Sequence, residues 1–278
     1  MRFEIVVDDG NGDSAAPVVA EVLGKRGATS IIPLSKFLLD AGVHFDKETG
    51  YLIEDDTDSS LRARLEDVSI CNRVVGVSDE TALILDSHTE VLKRNMVLAA
   101  FARILSVAPK VWGAVEPYPA SQLLPLNLQW RMIDKLATNF ATPRFEYAFG
   151  GEVPNTSGFR QPLWKDPFEL YNWESGEQEK SSVHFVVEKP RGNPAIVYFV
   201  GTCAEVFALP SFENAANSIR SLLVDVVPML RQVFRTFMGE ALFFVDDSHV
   251  VFAALSRYLK TATNHSRFKE LVNAGLTQ

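Results

Sequence analysis

The chain has 278 residues, of which 47% are hydrophobic and 22% charged, so it can bury a sizeable core and disorder is not its default state. Its formal net charge of −8 disfavours general nucleic-acid binding, because an acidic surface repels phosphate backbones. The two cysteines, Cys71 and Cys203, provide neither a disulfide framework nor the spacing of zinc ligands.

Membrane and export signals are not expected from this sequence. Charged residues begin at Arg2, which is too early for a signal peptide. No apolar run approaches the roughly 18 residues of a membrane-spanning helix. The longest run, residues 241–245, has the length of a strand. These observations predict a cytoplasmic protein that is not inserted in a membrane.

The first part of the chain has the pattern of a parallel β–α–β unit. Ser14 is suited to cap the first helix, Gly27 to end it, and Pro109 to follow the end of a second, longer helix. The predicted elements are strands at residues 3–7, 30–34 and 69–77, a hairpin at 43–56, and helices at 15–26 and 82–105.

The second part of the chain is predicted to be richer in antiparallel strands. Short glycine-containing links predict a meander over residues 183–209, and Pro228 is expected to interrupt a helix. Residues 149–182 are punctuated by glycine and proline and are expected to be irregular. The predicted elements are strands at 111–113, 184–188, 195–200, 205–209, 241–245 and 249–253, with helices at 124–139, 212–237 and 264–274.

Residues 161–173, the aromatic segment, combine four large aromatic side chains with an otherwise irregular sequence. Loops on a rigid scaffold often carry function, and Trp and Tyr are common anchors in interfaces. The segment is therefore a candidate partner-binding surface, although its aromatic rings could instead fix the loop into a core. The candidate partner-binding residues are Trp164, Phe168, Tyr171 and Trp173.

The order of the elements resembles that of the ATP-grasp ligases, in particular graspetide macrocyclases and ligases that add glutamate to ribosomal protein tails. The resemblance implies an α/β fold with an N-terminal β–α–β lobe and with central and C-terminal α+β lobes that contain antiparallel sheet. The corresponding domain boundaries are 1–110, 111–182 and 183–278. The stretches that carry it are Asp8-Asp9 with residues 23–27, Val111-Trp112-Gly113 with residues 127–145, residues 185–208 and residues 239–256.

The same resemblance implies ATP and magnesium as cofactors, with a carboxylate activated as an acyl phosphate. Magnesium requires hard oxygen ligands, which the family supplies from the two strands of its closing hairpin. Here Leu242, Phe243 and Phe244 stand where the first carboxylate is expected. Ala254 and Ser256 stand at the expected Glu and Asn. We therefore predict a degenerate metal site and assign no metal ligand and no catalytic residue.

Four charged residues are candidates for binding a nucleotide. Glu188 matches a family glutamate that contacts adenine or ribose, although it could simply be a charge at the end of a strand. Lys165, Lys189 and Arg191 could reach a phosphate, although exposed lysines are often only solvated. These roles follow from the resemblance and not from any separate motif.

Two functions are compatible with this sequence. The first is a non-catalytic ATP-grasp-like protein that binds a peptide or protein in a peptide-modification system. The alternative is an active ATP-dependent ligase that forms an amide or ester on a peptide. Both imply a peptide or protein partner, and both admit a homodimer. Loss of several ligands at once favours the first.

Overall fold

A computed structural model gives the fold of the chain. The residues that it describes are 3–8, 15–25, 29–39, 44–46, 50–54, 62–64, 67–74, 81, 90–108, 110–113, 124–136, 140–150, 154–174, 183–208, 220–246, 249–259 and 261–277. Among these residues, no helix is both long enough and apolar enough to cross a membrane.

The N-terminal part forms a parallel sheet with helices, plus a small antiparallel sheet. Its elements are β1 (Phe3–Asp8), α1 (Ala16–Gly24), β2 (Thr29–Pro33), α2 (Leu34–Leu39), β3 (His44–Asp46), β4 (Gly50–Glu54), β5 (Arg62–Arg64), β6 (Val68–Asn72), α3 (Glu90–Val107) and β7 (Lys110–Gly113). The parallel strands have the order β2-β1-β6-β7, and the others the order β3-β4-β5. The predicted β–α–β unit is confirmed by the parallel pairing of β1 with β2.

The helices of this part end close to the predicted positions. Helix α1 buries Val19, Val22 and Leu23, and Ala15 precedes it without a side-chain cap. Helix α3 ends at Val107, before the proline that was expected to stop it. The predicted cap at Ser14, the predicted stop at Gly27 and residues 82–89 of the long helix lie outside the described residues.

The central part contributes helix α4 (Leu126–Asp134) and an antiparallel sheet of β8 (Phe145–Phe149), β9 (Pro162–Trp164) and β10 (Val183–Glu188). The strand order β8-β10-β9 places β10 in the middle of this central sheet. The predicted meander of residues 183–209 is therefore wrong for its first strand, because β10 pairs with β8 and β9. The predicted boundary between residues 182 and 183 runs through the same sheet.

The C-terminal part contains β11 (Asn193–Val200), β12 (Cys203–Ala208), α5 (Arg220–Asp225), α6 (Val227–Phe234), β13 (Met238–Val245), β14 (Val250–Ser256), a 3-10 turn (Ala262–Asn264) and α7 (Phe268–Leu276). The C-terminal sheet has the order β12-β11-β13-β14. The predicted pairings of β11 with β12 and of β13 with β14 are confirmed. The predicted helix interruption is also confirmed, with Pro228 in the first turn of α6, where no N–H donor is needed.

The two faces of the C-terminal sheet have different neighbours, because successive side chains of a strand point to opposite sides. On the back face, Phe252 stacks on Phe234 of α6 with ring centroids 6.0 Å apart. A register shift between Leu242 and Phe243 puts Ala254 on the opposite side from Phe252, so the front face carries Leu242 paired with Ala254 and Glu240 paired with Ser256.

The outer edge of β14 is covered by α4. The side chain of Gln129 accepts a hydrogen bond from Leu255 N at 2.7 Å and donates one to Leu255 O at 3.2 Å. Nε1 of Trp130 donates to Ala253 O at 2.8 Å. Both side chains are buried, so backbone groups that an edge strand would expose are satisfied inside the protein.

Candidate functional site

A short link joins the central sheet to the C-terminal sheet. We call this link, residues 189–192, the hinge; it lies between β10 and β11. On its N-terminal side, Glu188 N donates to Arg144 O at 2.8 Å and Lys189 N to Gln161 O at 2.9 Å. At its C-terminal end Gly192 has a φ of 92°, and a Cβ there would lie 2.3 Å from the carbonyl oxygen of Val245. This conformation and this close approach require glycine.

The front face carries the positions where the resemblance implies magnesium ligands. Leu242, Ala254 and Ser256 are all buried there. Two apolar side chains and one hydroxyl offer little to a cation that demands several oxygen ligands. Among the described residues, no group of three or more His, Cys, Asp or Glu side chains could hold a metal ion. The side chains described at these positions therefore do not fit the implied pair of magnesium ions.

Glu240 is a charged residue of the front face that was assigned no role from the sequence. It is fully buried, and Tyr171 donates to its Oε1. Its Oε2 accepts from Thr261 N at 3.0 Å, Thr261 Oγ1 at 2.9 Å and Ala262 N at 3.3 Å. Burial raises the pKa of Glu240, although these hydrogen bonds act in the opposite direction. Both carboxylate oxygens are thus already bonded within the protein.

The aromatic segment fills the space in front of this face. Trp173 is buried, with its ring centroid 5.5 Å from that of Phe244 on β13 and 6.3 Å from that of Trp130 on α4. Its Nε1 donates to Leu170 O at 2.8 Å. Leu170, Trp173 and Phe244 belong to the same hydrophobic core as Leu242. The segment is therefore part of the core between the two sheets.

The four candidate partner-binding residues have different surroundings. Tyr171 and Trp173 point inward, and Tyr171 has its pKa raised by burial and by the neighbouring Glu240. Trp164 is half-buried and packs edge-on against His184 at 5.7 Å. Phe168 is 46% exposed. Phe168 is thus the exposed member of the four and Trp164 is partly accessible, and the partner-binding role of all four remains a prediction.

Lys165, a candidate for phosphate binding, is instead engaged by the aromatic segment itself. Its Nζ lies 4.5 Å from the ring centroid of Trp173 and donates to Asn172 O. Burial lowers the pKa of Lys165 to about 8, against the opposing effect of Glu169 and Asp166. Lys165 therefore stabilises the segment and lies apart from the other three nucleotide-binding candidates.

Those three candidates, Glu188, Lys189 and Arg191, line one cavity of about 290 Å³ at the hinge, which we call the hinge pocket. Residues next to or within β13 and β14 also line it, namely Asp246, His249 and Val251. Arg144 and Arg160 also line the pocket, although sequence reasoning did not select them. The charged and titratable lining residues are Arg144, Arg160, Glu188, Lys189, Arg191, Asp246 and His249.

Several of these side chains are held in place by neighbours. Arg160 Nε donates to Glu188 Oε1 at 3.0 Å. Arg144 donates to Gly158 O at 3.1 Å and lies 4.8 Å from the ring centroid of Phe159. Asp246 accepts a hydrogen bond from His249 N at 2.7 Å. Four charged groups of the pocket wall, those of Arg144, Arg160, Glu188 and Asp246, are thus positioned by neighbours.

Comparison with known proteins identifies the fold. No protein-family model and no curated protein matches the sequence. The structure is similar to a RiPP-associated ATP-grasp ligase of Chryseobacterium gregarium in complex with ADP and a leader and core peptide. That match has a TM-score of 0.70 and 14% identity, and covers 100% of this chain and 97% of the other.

Two further solved structures support the same class. The macrocyclase MdnC of Microcystis aeruginosa MRC, bound with precursor peptide MdnA, matches with a TM-score of 0.64 and 10% identity over 99% of this chain and 100% of its own. A RimK domain ATP-grasp protein of Sphaerobacter thermophilus DSM 20745 matches with a TM-score of 0.55 and 9% identity, over 97% and 96%. The protein therefore has the ATP-grasp fold, as the sequence predicted.

Proposed function

We propose that this protein is a non-catalytic relative of the ATP-grasp ligases that binds a peptide or protein in a peptide-modification system. The observation that carries the proposal is the filled front face. Trp173 packs on Phe244, Tyr171 bonds to Glu240, and Leu242 faces Ala254 where metal ligands are implied. In this proposal, the space where the resemblance implies reacting groups is filled by the protein's own core.

The remaining carboxylate of this face does not rescue a metal site. A ligating carboxylate must be ionised, and magnesium retains several further oxygen ligands. The raised pKa of Glu240 indicates surroundings that favour its neutral form. Its two oxygens already accept bonds from Tyr171, Thr261 and Ala262. Binding of two dications would require this network to be broken.

The peptide partner is supported by the breadth of the structural match. MdnC was solved with a precursor peptide, the Chryseobacterium ligase with a leader and core peptide, and PsnB with a minimal precursor, and each match spans nearly the whole of both chains. The chain has the full length of this fold but carries apolar side chains at positions where oxygen ligands are implied. This combination favours a binding function over phosphoryl transfer. Phe168, which is exposed, and Trp164, which is half-buried, are the aromatic residues that we expect to contact such a partner.

The alternative function, an active ATP-dependent ligase on a peptide, is favoured by one observation. Glu188, Lys189 and Arg191 meet in one pocket at the hinge, as a nucleotide site would require. A similar ligase, PsnB, was solved with magnesium and ADP. In this alternative the metal would bind residues other than those at the implied positions.

Calorimetric titration of the protein with ATP and magnesium distinguishes the two functions. We expect no saturable heat at millimolar ATP, while the PsnB ligase titrated in the same buffer serves as the positive control. Saturable binding together with ADP formation in the presence of a peptide would overturn the proposal in favour of the ligase.

The partner surface is tested separately by crosslinking mass spectrometry with candidate precursor peptides. We expect the double variant Trp164→Ala/Phe168→Ala to lose crosslinks, because both side chains present surface on the aromatic segment. Leu128→Ala, an exposed apolar truncation on α4, is the matched control and should retain them. Unchanged crosslinking in the double variant would exclude this surface as the binding site.

A further inference from the structure

The hinge pocket is locally basic in an acidic protein. The whole chain has a formal net charge of −8, yet this cavity brings four cationic side chains together with only two carboxylates. A concave surface lined by one prevailing sign of charge concentrates ligands of the opposite sign. The four cations are Arg144, Arg160, Lys189 and Arg191.

The cations of the pocket differ in how far they are already engaged. Arg160 uses Nε for its bond to Glu188, which leaves the two terminal nitrogens of its guanidinium. Within the described part of the chain, the side chains of Lys189 and Arg191 make no hydrogen bond or ion pair. Arg191 is also exposed. A guanidinium with open N–H groups matches a carboxylate in geometry as well as in charge.

The pocket offers little for recognition of a purine base. Among the described residues that line it, His249 carries the only ring with a π face. The backbone N–H groups of Glu188 and Lys189 are both committed to carbonyl oxygens of the protein. A cavity of about 290 Å³ whose lining includes four cationic side chains has room for one or two short acidic side chains. Charge, and not base stacking, is the main property of this cavity.

We infer that the hinge pocket binds the carboxylates of an acidic stretch in a peptide partner, with Lys189 and Arg191 as the principal contacts. The inference rests on the proposed function for the partner being a peptide. Glu188 then orients Arg160 toward the ligand through their ion pair. Arg144 is fixed by Gly158 and Phe159, so it adds positive charge without needing to move.

The test uses fluorescence anisotropy with a labelled peptide of alternating Glu and Gly, capped at both ends, and a matched Gln–Gly peptide. We expect the Glu peptide to bind at low ionic strength, to weaken with added salt, and to exceed the Gln peptide in affinity. Lys189→Gln/Arg191→Gln should lose about tenfold or more in affinity for the Glu peptide. Arg103→Gln, an exposed arginine of α3 far from the hinge in sequence, should bind like the wild type.

Three results would overturn the inference: equal affinity for both peptides, unchanged affinity in the double variant, or displacement of the Glu peptide by uncharged adenosine. The ATP–magnesium titration tests the proposed non-catalytic function independently of the peptide-binding assay. A saturable ATP–magnesium heat, with the preference for the Glu peptide intact, would refute the non-catalytic assignment and still support the carboxylate site. No ATP binding, with equal affinity for both peptides, would refute only the carboxylate site.

Discussion

The hydroxyl of Tyr171 donates a hydrogen bond to Oε1 of Glu240, which joins the aromatic segment to strand β13 of the C-terminal sheet. The acceptor is fully buried, and Thr261 and Ala262 bind its other oxygen. The carboxylate therefore links three parts of the chain that are distant in sequence. Its hydrogen bonds replace the solvent or cation that a charged group would otherwise need.

The Tyr171→Phe substitution should lower the free energy of unfolding by about 1–3 kcal/mol, because a buried carboxylate oxygen then loses its donor. Urea denaturation followed by circular dichroism measures the change. Tyr147→Phe is the matched control, since within the described residues the Tyr147 hydroxyl has no hydrogen-bond partner. Equal effects of the two substitutions would contradict a specific role for the bond to Glu240.

Glu240→Gln should change how stability depends on pH. Burial raises the folded-state pKa of Glu240 above its ordinary value of 4.5, so the folded protein binds this proton more tightly than the unfolded chain. The wild type therefore loses unfolding free energy as the pH rises from 4.5 through the raised pKa. The variant lacks this loss. Denaturant unfolding at a series of pH values should show the unfolding free energy of the variant rising relative to that of the wild type as the pH increases. A difference between the two proteins that does not change with pH would contradict this expectation.

Lys165 should titrate well below an ordinary lysine. Burial lowers its pKa from 10.5 to about 8, so the wild type gains unfolding free energy as the pH rises between these two values. Competitive acetylation across pH, read by mass spectrometry, should give a midpoint near 8 for this amine. A midpoint near 10.5 would show that the amine of Lys165 is not buried.

Two aromatic truncations within one segment should differ sharply in their effect on stability. Trp173→Ala should cost about 3–5 kcal/mol, because it removes a buried ring and leaves a cavity beside Phe244. Phe168→Ala should stay within about 1 kcal/mol, because that ring is nearly half exposed. Urea denaturation of both variants measures the contrast. Similar losses would mean that Trp173 is not part of the core.

Elements with a strong period, such as β1, α1 and the β13–β14 hairpin, could be predicted from the sequence because local pattern decides them. Strand β9 could not, since it has three residues and begins at a proline. The neighbours of β10 were also missed. Consecutive strands usually pair, but the hinge carries the chain into a different sheet.

The composition of the candidate site was only partly predictable. Glu188, Lys189 and Arg191 lie within four consecutive residues, so the resemblance located them together. Arg144 and Arg160 line the same pocket although they are distant from the hinge in sequence. Their position depends on the tertiary fold and could not be predicted from local sequence. Glu240 had one available signal, a lone charge at the start of a strongly apolar strand, because such a charge must find buried partners.

The bonds between Gln129 and Leu255 restrict how a guest peptide could be accommodated. An extended peptide often binds by adding a strand to a free sheet edge. Along β14 that route is closed, because Gln129 and Trp130 occupy backbone groups of Leu255 and Ala253, and Ala141 pairs with Val251. A peptide that joined this protein as an extra strand would have to do so elsewhere, and β8 and β9 are the outer strands of the sheet that carries Trp164.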